Sequence, residues 1–163
     1  MADDLLATVR ERGQANRFWR YLGVEVVDAR EGWVRLRVPV RDDLCNDAGA
    51  PLHGGVYASL VDMAIGGALG TYAPTAAGGI DQTTLDLNVS FLAAARKGEL
   101  FAEGQIIRRG RTIAVGETRV TDGAGRLLAI GRATYMLRGP EMAPQTPQTL
   151  GAPRGTRGAP RSP

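Results

Sequence analysis

The stretch Leu52–Gly70, "LHGGVYASLVDMAIGGALG", decides the fold. It is apolar apart from one charge, Asp62, and the nearest other acids are Asp47 upstream and Asp81 downstream. Continued to Tyr72, the segment that begins at Gly54 is long enough, at ~19 residues, to be the main helix of a small domain. Gly66, Gly67 and Gly70 are poor helix formers. They are tolerable if a sheet wraps tightly round the helix and needs close backbone approach. A carboxylate buried without a partner costs several kcal/mol or gives up its charge. Asp62 is therefore either a paired structural acid or a working one.

Outward from this helix the pattern changes period. Upstream, "DDLLATVRERGQANRFWRYLG" spaces Leu5, Leu6, Val9, Phe18 and Leu22 as an N-terminal helix broken near Gly13. "GVEVVDAREGWVRLRVPV" alternates with period two about a turn at Glu31-Gly32, which predicts a β-hairpin. "RDDLCNDAGAP" is a polar loop. Downstream of the loop "APTAAGG" come four strand-like runs: "IDQTTLDLNVSFL", "GELFAEGQIIRRG", "RTIAVGETRVTDG" and "GRLLAIGRATYML". Turn signals at Lys97-Gly98, Gly110 and Asp122–Gly125 separate them, and the economical reading is an antiparallel meander. The predicted class is α+β. Residues 1–21 form the N-terminal helix, 22–138 the main domain, and 139–163, rich in Pro, Gly, Thr and Arg, a disordered tail.

Composition narrows the function. The chain has 163 residues, 44% of them hydrophobic, and a net charge of +3. Much of that excess sits in the tail, where Arg154, Arg157 and Arg161 face only Glu141. A nucleic-acid reader would carry a basic stripe on one element, so none is expected. No run is long and apolar enough for a membrane span. The start, "MADDLLATVRERG", lacks the apolar core of a signal peptide. Cys45 is the single cysteine, which suits a reducing, cytoplasmic setting.

His53-Gly54-Gly55 opens the helix. A first turn has free N–H groups and the positive end of the dipole, so it can hold an anion or polarise a carbonyl oxygen. Two glycines alone fit an ordinary helix start equally well. His53, the only histidine, rules out a His-rich metal site, and no metal site is expected. It is either a general base or, as histidines beside helix starts more often are, a capping residue. Cys45 without a second histidine is an inert thiol, and Ser59 in "YASLV" is not on a nucleophile elbow. Asp62 lies nine residues beyond His53, roughly 13 Å along the axis and on the opposite face. It cannot act on a carbonyl held at its own helix's N-terminus. Either the two features are unrelated or two copies of the chain build one site.

Over Leu22–Leu137, "NDAGAPLHGGVYASLVDMA", "TTLDLNVSFL" and "GELFAEGQIIRRGRTIAVGETRVTDGAGRLLAIGRATY" resemble the hotdog-fold acyl-CoA thioesterases. The likeness is to the PaaI-like and 4-hydroxybenzoyl-CoA thioesterase-type subgroup. The resemblance implies a long helix wrapped by a curved antiparallel sheet, homodimers or dimers of dimers, and acyl-CoA sites shared between subunits. Gly54, or the adjacent Gly55 N–H, would polarise the thioester carbonyl. Asp62 of the partner would act as nucleophile or as general base on water. Asn46 matches a loop asparagine and Thr84 a hydroxyl residue near the carboxylate, with His53 completing the motif.

Two departures stand out. Asn46 precedes His53 by seven residues where relatives commonly have six, and "FLAAARKG" lacks a proline common after this strand. Arg96, Lys97, Arg108, Arg109, Gly110, Arg111 and Thr112 are the candidate contacts for CoA phosphates, because guanidinium forks match phosphate oxygens. No cofactor is expected beyond the CoA that belongs to the substrate. The expected reaction is hydrolysis of an acyl- or aryl-CoA thioester. The rivals are an acyl-CoA-binding or scaffold protein without turnover, and a dehydratase or hydratase. Gly66, one turn past Asp62, suggests a roomy acyl pocket.

Overall fold

The computed structural model describes residues 2–72 and 81–138. The predicted loop at 73–79 and the tail at 139–163 lie outside the described residues. In chain order the elements are α1 (Ala2–Ala15), α2 (Arg17–Leu22), β1 (Glu25–Arg30) and β2 (Trp33–Pro39). A short 3-10 turn (Asp42–Leu44) leads to α3 (Gly54–Gly70). Then follow β3 (Asp81–Phe91), β4 (Glu99–Arg109), β5 (Ile113–Asp122) and β6 (Leu127–Arg138).

The break in the N-terminal helix falls at Asn16, three residues later than expected. Its side chain accepts from the backbone N–H groups of Phe18 and Trp19 and so caps α2. Gly13 lies inside α1, and its missing side chain makes room for the Trp19 ring; a Cβ there would stand 2.9 Å from Trp19.

The six strands form one antiparallel sheet in the order β1-β2-β4-β5-β6-β3. The expected meander holds for β4-β5-β6 but not for β3. That strand pairs with β6 rather than with β4, its neighbour in sequence, and forms the outer edge of the sheet. Alternation along the strands selects the inner face: Val34, Leu36 and Val38 on β2, and Leu100 and Ala102 on β4, are fully buried. Each such Leu or Val contributes about 1.5–3 kcal/mol.

Helix α3 fills this concave face and is apolar nearly all round, with Leu60, Val61, Ala64, Ile65, Ala68 and Leu69 at most 1% exposed. Close approach is secured mainly from the sheet side. A Cβ on Gly104 would overlap the Ala64 backbone, and one on Gly116 or Gly131 would come within 2.6 Å of Ile65 or Val61. Two of the helix glycines face side chains rather than backbone: Gly67 receives Val34 of β2 and Trp19 of α2, and Gly66 receives Tyr135 of β6 and Gln82 of β3. The room expected beside Gly66 is thus filled by a tyrosine hydroxyl and an amide.

Candidate active site

Asp62 lies midway along α3, half-buried. Its Oδ1 accepts from Thr84 Oγ1 on β3 at 2.8 Å and from the Tyr135 hydroxyl on β6 at 2.6 Å. The same hydroxyl stands 2.7 Å from the Asp62 carbonyl oxygen. Among the described residues no ion pair includes Asp62. Its partners are two neutral hydroxyls rather than a cation, so this acid is not one half of a structural salt bridge. Oδ2 accepts no hydrogen bond among the described residues and is the oxygen left for a ligand. Burial, and then the charge of Asp62, push the Tyr135 phenol well above the usual tyrosine range. It therefore remains a donor to the carboxylate.

Two adjoining cavities share Asp62, Thr84, Met63, Asn16 and Trp19, with volumes of about 410 and 370 Å³. Trp19 and Asn16 come from the N-terminal helices, which places α1 and α2 in the wall of the site. Sequence reasoning gave those helices no role there.

At the other end of the helix, His53 is the N-cap: its Nδ1 accepts from the Gly55 N–H at 2.8 Å. A ring nitrogen that accepts carries no proton, so the imidazole is neutral in this arrangement. The next N–H, of Val56, donates to the His53 carbonyl. Of the two donors proposed from the motif, the Gly55 N–H is therefore occupied. The Gly54 N–H has no acceptor among the described residues.

The surroundings fix this turn in place. The Tyr57 hydroxyl accepts from the Ala95 N–H at 2.8 Å, and Phe91 packs edge-on against Tyr57 with ring centroids 6.2 Å apart. Burial raises the Tyr57 phenol above its ordinary value. Ser59 Oγ donates to the Gly55 carbonyl one turn back, and Cys45 Sγ lies 3.4 Å from the Arg41 carbonyl.

Asn46 is exposed and folds back on its own loop, with both its backbone and its side-chain N–H groups donating to the Pro51 carbonyl. The basic candidates fall into two groups that do not meet. Arg96 and Lys97 follow Ala95 at the end of the sheet where α3 begins, and Arg96 donates to the Gly49 carbonyl. Arg108, Arg109, Gly110, Arg111 and Thr112 make the β4–β5 turn, where Arg109 stacks over Tyr72 just beyond the last turn of α3. The length of β4, about 33–36 Å, separates the groups, so the seven residues do not form one phosphate site within a chain. A cation missed from the sequence stands beside the first group. Arg126 pairs with Asp122 and reaches the Ala94 carbonyl at 3.3 Å. Asp122, bonded by the Arg126 N–H and side chain, is held below the usual carboxylate range.

Comparison with known proteins agrees with this architecture. The profile of the family described as Thioesterase superfamily matches residues 51–129. A Halobacterium salinarum protein provisionally named an esterase is 34% identical over 82% of this chain and 93% of its own. The chain belongs to the thioesterase superfamily. Zebrafish thioesterase superfamily member 2 is 30% identical, with a TM-score of 0.70 over 85% of this chain and 99% of that one. The 1,4-dihydroxy-2-naphthoyl-CoA hydrolase of Listeria monocytogenes is 29% identical over 72% of this chain and 92% of its own. Among the described residues no helix is long and apolar enough to cross a membrane.

Proposed function

We propose that this superfamily member hydrolyses acyl- or aryl-CoA thioesters at sites shared between two copies of the chain, in the cytoplasm and without a further cofactor. The observation that carries the reading is the layout of the edge strand. Strand β3 runs alongside α3 with Thr84 bonded to Asp62 and with Phe91 against Gly54, where a Cβ would lie 3.5 Å from the ring. It is exposed along most of its length, with Leu85, Leu87 and Phe91 open to solvent. Long apolar edges of this kind invite pairing.

Antiparallel pairing of β3 with its own copy is a two-fold contact. It sets the Thr84 end of one strand opposite the Phe91 end of the other. Asp62 of one protomer then approaches Gly54 of its partner, which resolves the separation of acid and donor along a single helix. A dimer of such dimers extends the same assembly.

In this site the thioester oxygen lies against the Gly54 N–H and the positive end of α3, which stabilise the negative charge that develops on it. Asp62 Oδ2 of the partner either attacks the carbonyl carbon, expelling the CoA thiolate and forming an acyl anhydride that water then hydrolyses, or takes a proton from a water that attacks the carbon and passes that proton to the departing sulfur. CoA leaves as the thiol, and the carboxylic acid remains. Trp19, Met63 and the neighbouring cavity walls receive the acyl group. Arg96, Lys97 and Arg126 stand at the Gly54 end, where the CoA phosphates approach. The likeness to the Listeria CoA hydrolase supports a CoA substrate. A dehydratase needs a histidine beside the acid, and the Nδ1 of the one histidine here is taken by the cap.

Two substitutions test the shared site. Asp62→Asn removes the acid. Gly54→Pro removes the donor at the first helical position, where proline is favoured, and His53 already has the extended backbone that a following proline requires (φ −63°, ψ 137°). Each variant alone is expected to lose thiol release from an acyl-CoA panel, by about 10²–10³-fold for the donor. Refolded together, they regain about a quarter of wild-type activity per chain, because half the dimers are mixed and each mixed dimer holds one intact site. Failure to recover on mixing refutes a shared site. Full activity of Asp62→Asn refutes its role, and tight CoA-ester binding without thiol release by the wild type makes the protein a binding module.

A further inference from the structure

We infer that Tyr135 is a positioning residue for Asp62, admitted to its place by Gly66. The inference rests on the reading of Asp62 as the reacting acid and goes beyond it by assigning work to a residue 73 positions away.

The Tyr135 ring is packed in the core on β6, 4% exposed, and only its hydroxyl emerges beside α3. One phenol proton faces two acceptors of the same residue, the Asp62 carbonyl and Asp62 Oδ1. The hydroxyl thus ties the side chain of Asp62 to its own backbone and restricts its rotation. Thr84 donates to the same Oδ1 from β3. The result sorts the two carboxylate oxygens: Oδ1 accepts from two donors, and Oδ2 accepts from none among the described residues.

This arrangement needs Gly66, four residues along the helix on the same face as Asp62. A Cβ there would stand 3.2 Å from the Tyr135 hydroxyl and 3.3 Å from Gln82 Nε2. The Gln82 amide in turn donates to the Gly66 carbonyl at 2.9 Å and closes the far side of the hydroxyl's niche. Of the two other helices that line this cavity, α2 brings the uncharged Trp19 and α1 brings one ionised group, Arg12, which donates to the Gly70 carbonyl at the last residue of α3.

Tyr135→Phe keeps the buried ring and removes only the O–H. With phenylacetyl-CoA as probe, kcat is expected to fall by about ten- to a hundredfold, the range for loss of one hydrogen bond to a charged group, with little change in KM. The acid limb of the kcat–pH profile is expected to move to higher pH, because a donor to the ionised form has been lost. Gly66→Ala is expected to reduce kcat in the wild type and to add little in the Tyr135→Phe background, the signature of residues acting through one contact. A structural role alone would lower Tm while leaving the acid limb and the KM-against-kcat split unmoved, and that result overturns the inference. Three-bond NMR couplings across the Asp62 Cα–Cβ bond provide a readout independent of turnover. They should report one χ1 rotamer in the wild type and averaging in Tyr135→Phe even if Asp62→Asn proves active, so failure of the catalytic reading and failure of the positioning role remain distinguishable. Unchanged couplings refute the role of Tyr135.

Discussion

His53 offers the sharpest test of how the helix start works, because capping and proton transfer demand different things of the ring. In the structure Nδ1 accepts from the Gly55 N–H at 2.8 Å. Losing such a cap costs about 1 kcal/mol, which for a domain of this size lowers Tm by roughly 2–4 °C. His53→Ala is expected to show that loss. His53→Asn separates the roles: its amide oxygen accepts from the same N–H, yet it cannot take a proton at neutral pH. The Asn variant should recover most of the stability lost in Ala and keep kcat within a few-fold of wild type. Thermal unfolding and thiol release on the same preparations measure both. If His53→Asn is as stable as wild type but about 10²–10⁴-fold slower, the imidazole is a general base and the capping account is wrong.

Two further outcomes follow from packing and burial. Gly104→Ala sets a methyl group against the Ala64 backbone. It should destabilise the fold by about 1–3 kcal/mol, whereas Gly123→Ala, with nothing within 4 Å of the added carbon, should leave Tm unchanged. Equal Tm values for the two variants would show that α3 has slack against the sheet. Because the Tyr135 phenol is raised in the fold, it stays protonated while its unfolded counterpart ionises above about pH 10. The unfolded chain then binds fewer protons, so stability falls as pH rises, with a slope from this group that grows from about 0.7 kcal/mol per pH unit at about pH 10 toward about 1.4 above about pH 11. Urea midpoints between about pH 10 and pH 11 should show this slope in wild type and lose that part of it in Tyr135→Phe. Identical slopes would contradict the burial of the hydroxyl.

Most of the elements were legible in the sequence because each buries residues with one period. Val34, Leu36 and Val38 announce a half-buried strand, and the run from Val56 to Leu69, apolar but for Ser59 and Asp62, announces a helix enclosed on nearly every side. The position of β3 was not legible. Local alternation shows that Thr84–Phe91 is extended but does not say which strand it meets, and the seven residues Leu92–Gly98 are enough to carry the chain from one sheet edge to β4. In the sequence, Gly66, Gly67 and Gly70 imply close approach of α3 to the sheet. In the structure Gly104, Gly116 and Gly131 do most of that, because a strand that faces a helix backbone has only its Cβ to give up.

The contents of the Asp62 site divide along the same line. The acid stood out because it is the only charge in an apolar helix, and Thr84 was marked by its place in a family motif. Tyr135 carries no such mark. A tyrosine at an inward strand position looks like core, and nothing local reveals that its hydroxyl crosses 73 residues of sequence to meet Asp62.

The His53 ring also changes what the glycine pair can do. A motif with two glycines suggests two donors, yet the cap takes the Gly55 N–H and the His53 carbonyl takes that of Val56. The oxyanion then depends on the Gly54 N–H together with the dipole of a 17-residue helix. No neighbouring amide can stand in for Gly54 while the cap is made. Gly54→Pro should therefore fall at the severe end of the 10²–10³-fold range, about 10³, and combining it with His53→Ala should restore part of the rate by freeing the Gly55 N–H. A Gly54→Pro variant with near-normal kcat would mean that the carbonyl is polarised from somewhere other than this turn.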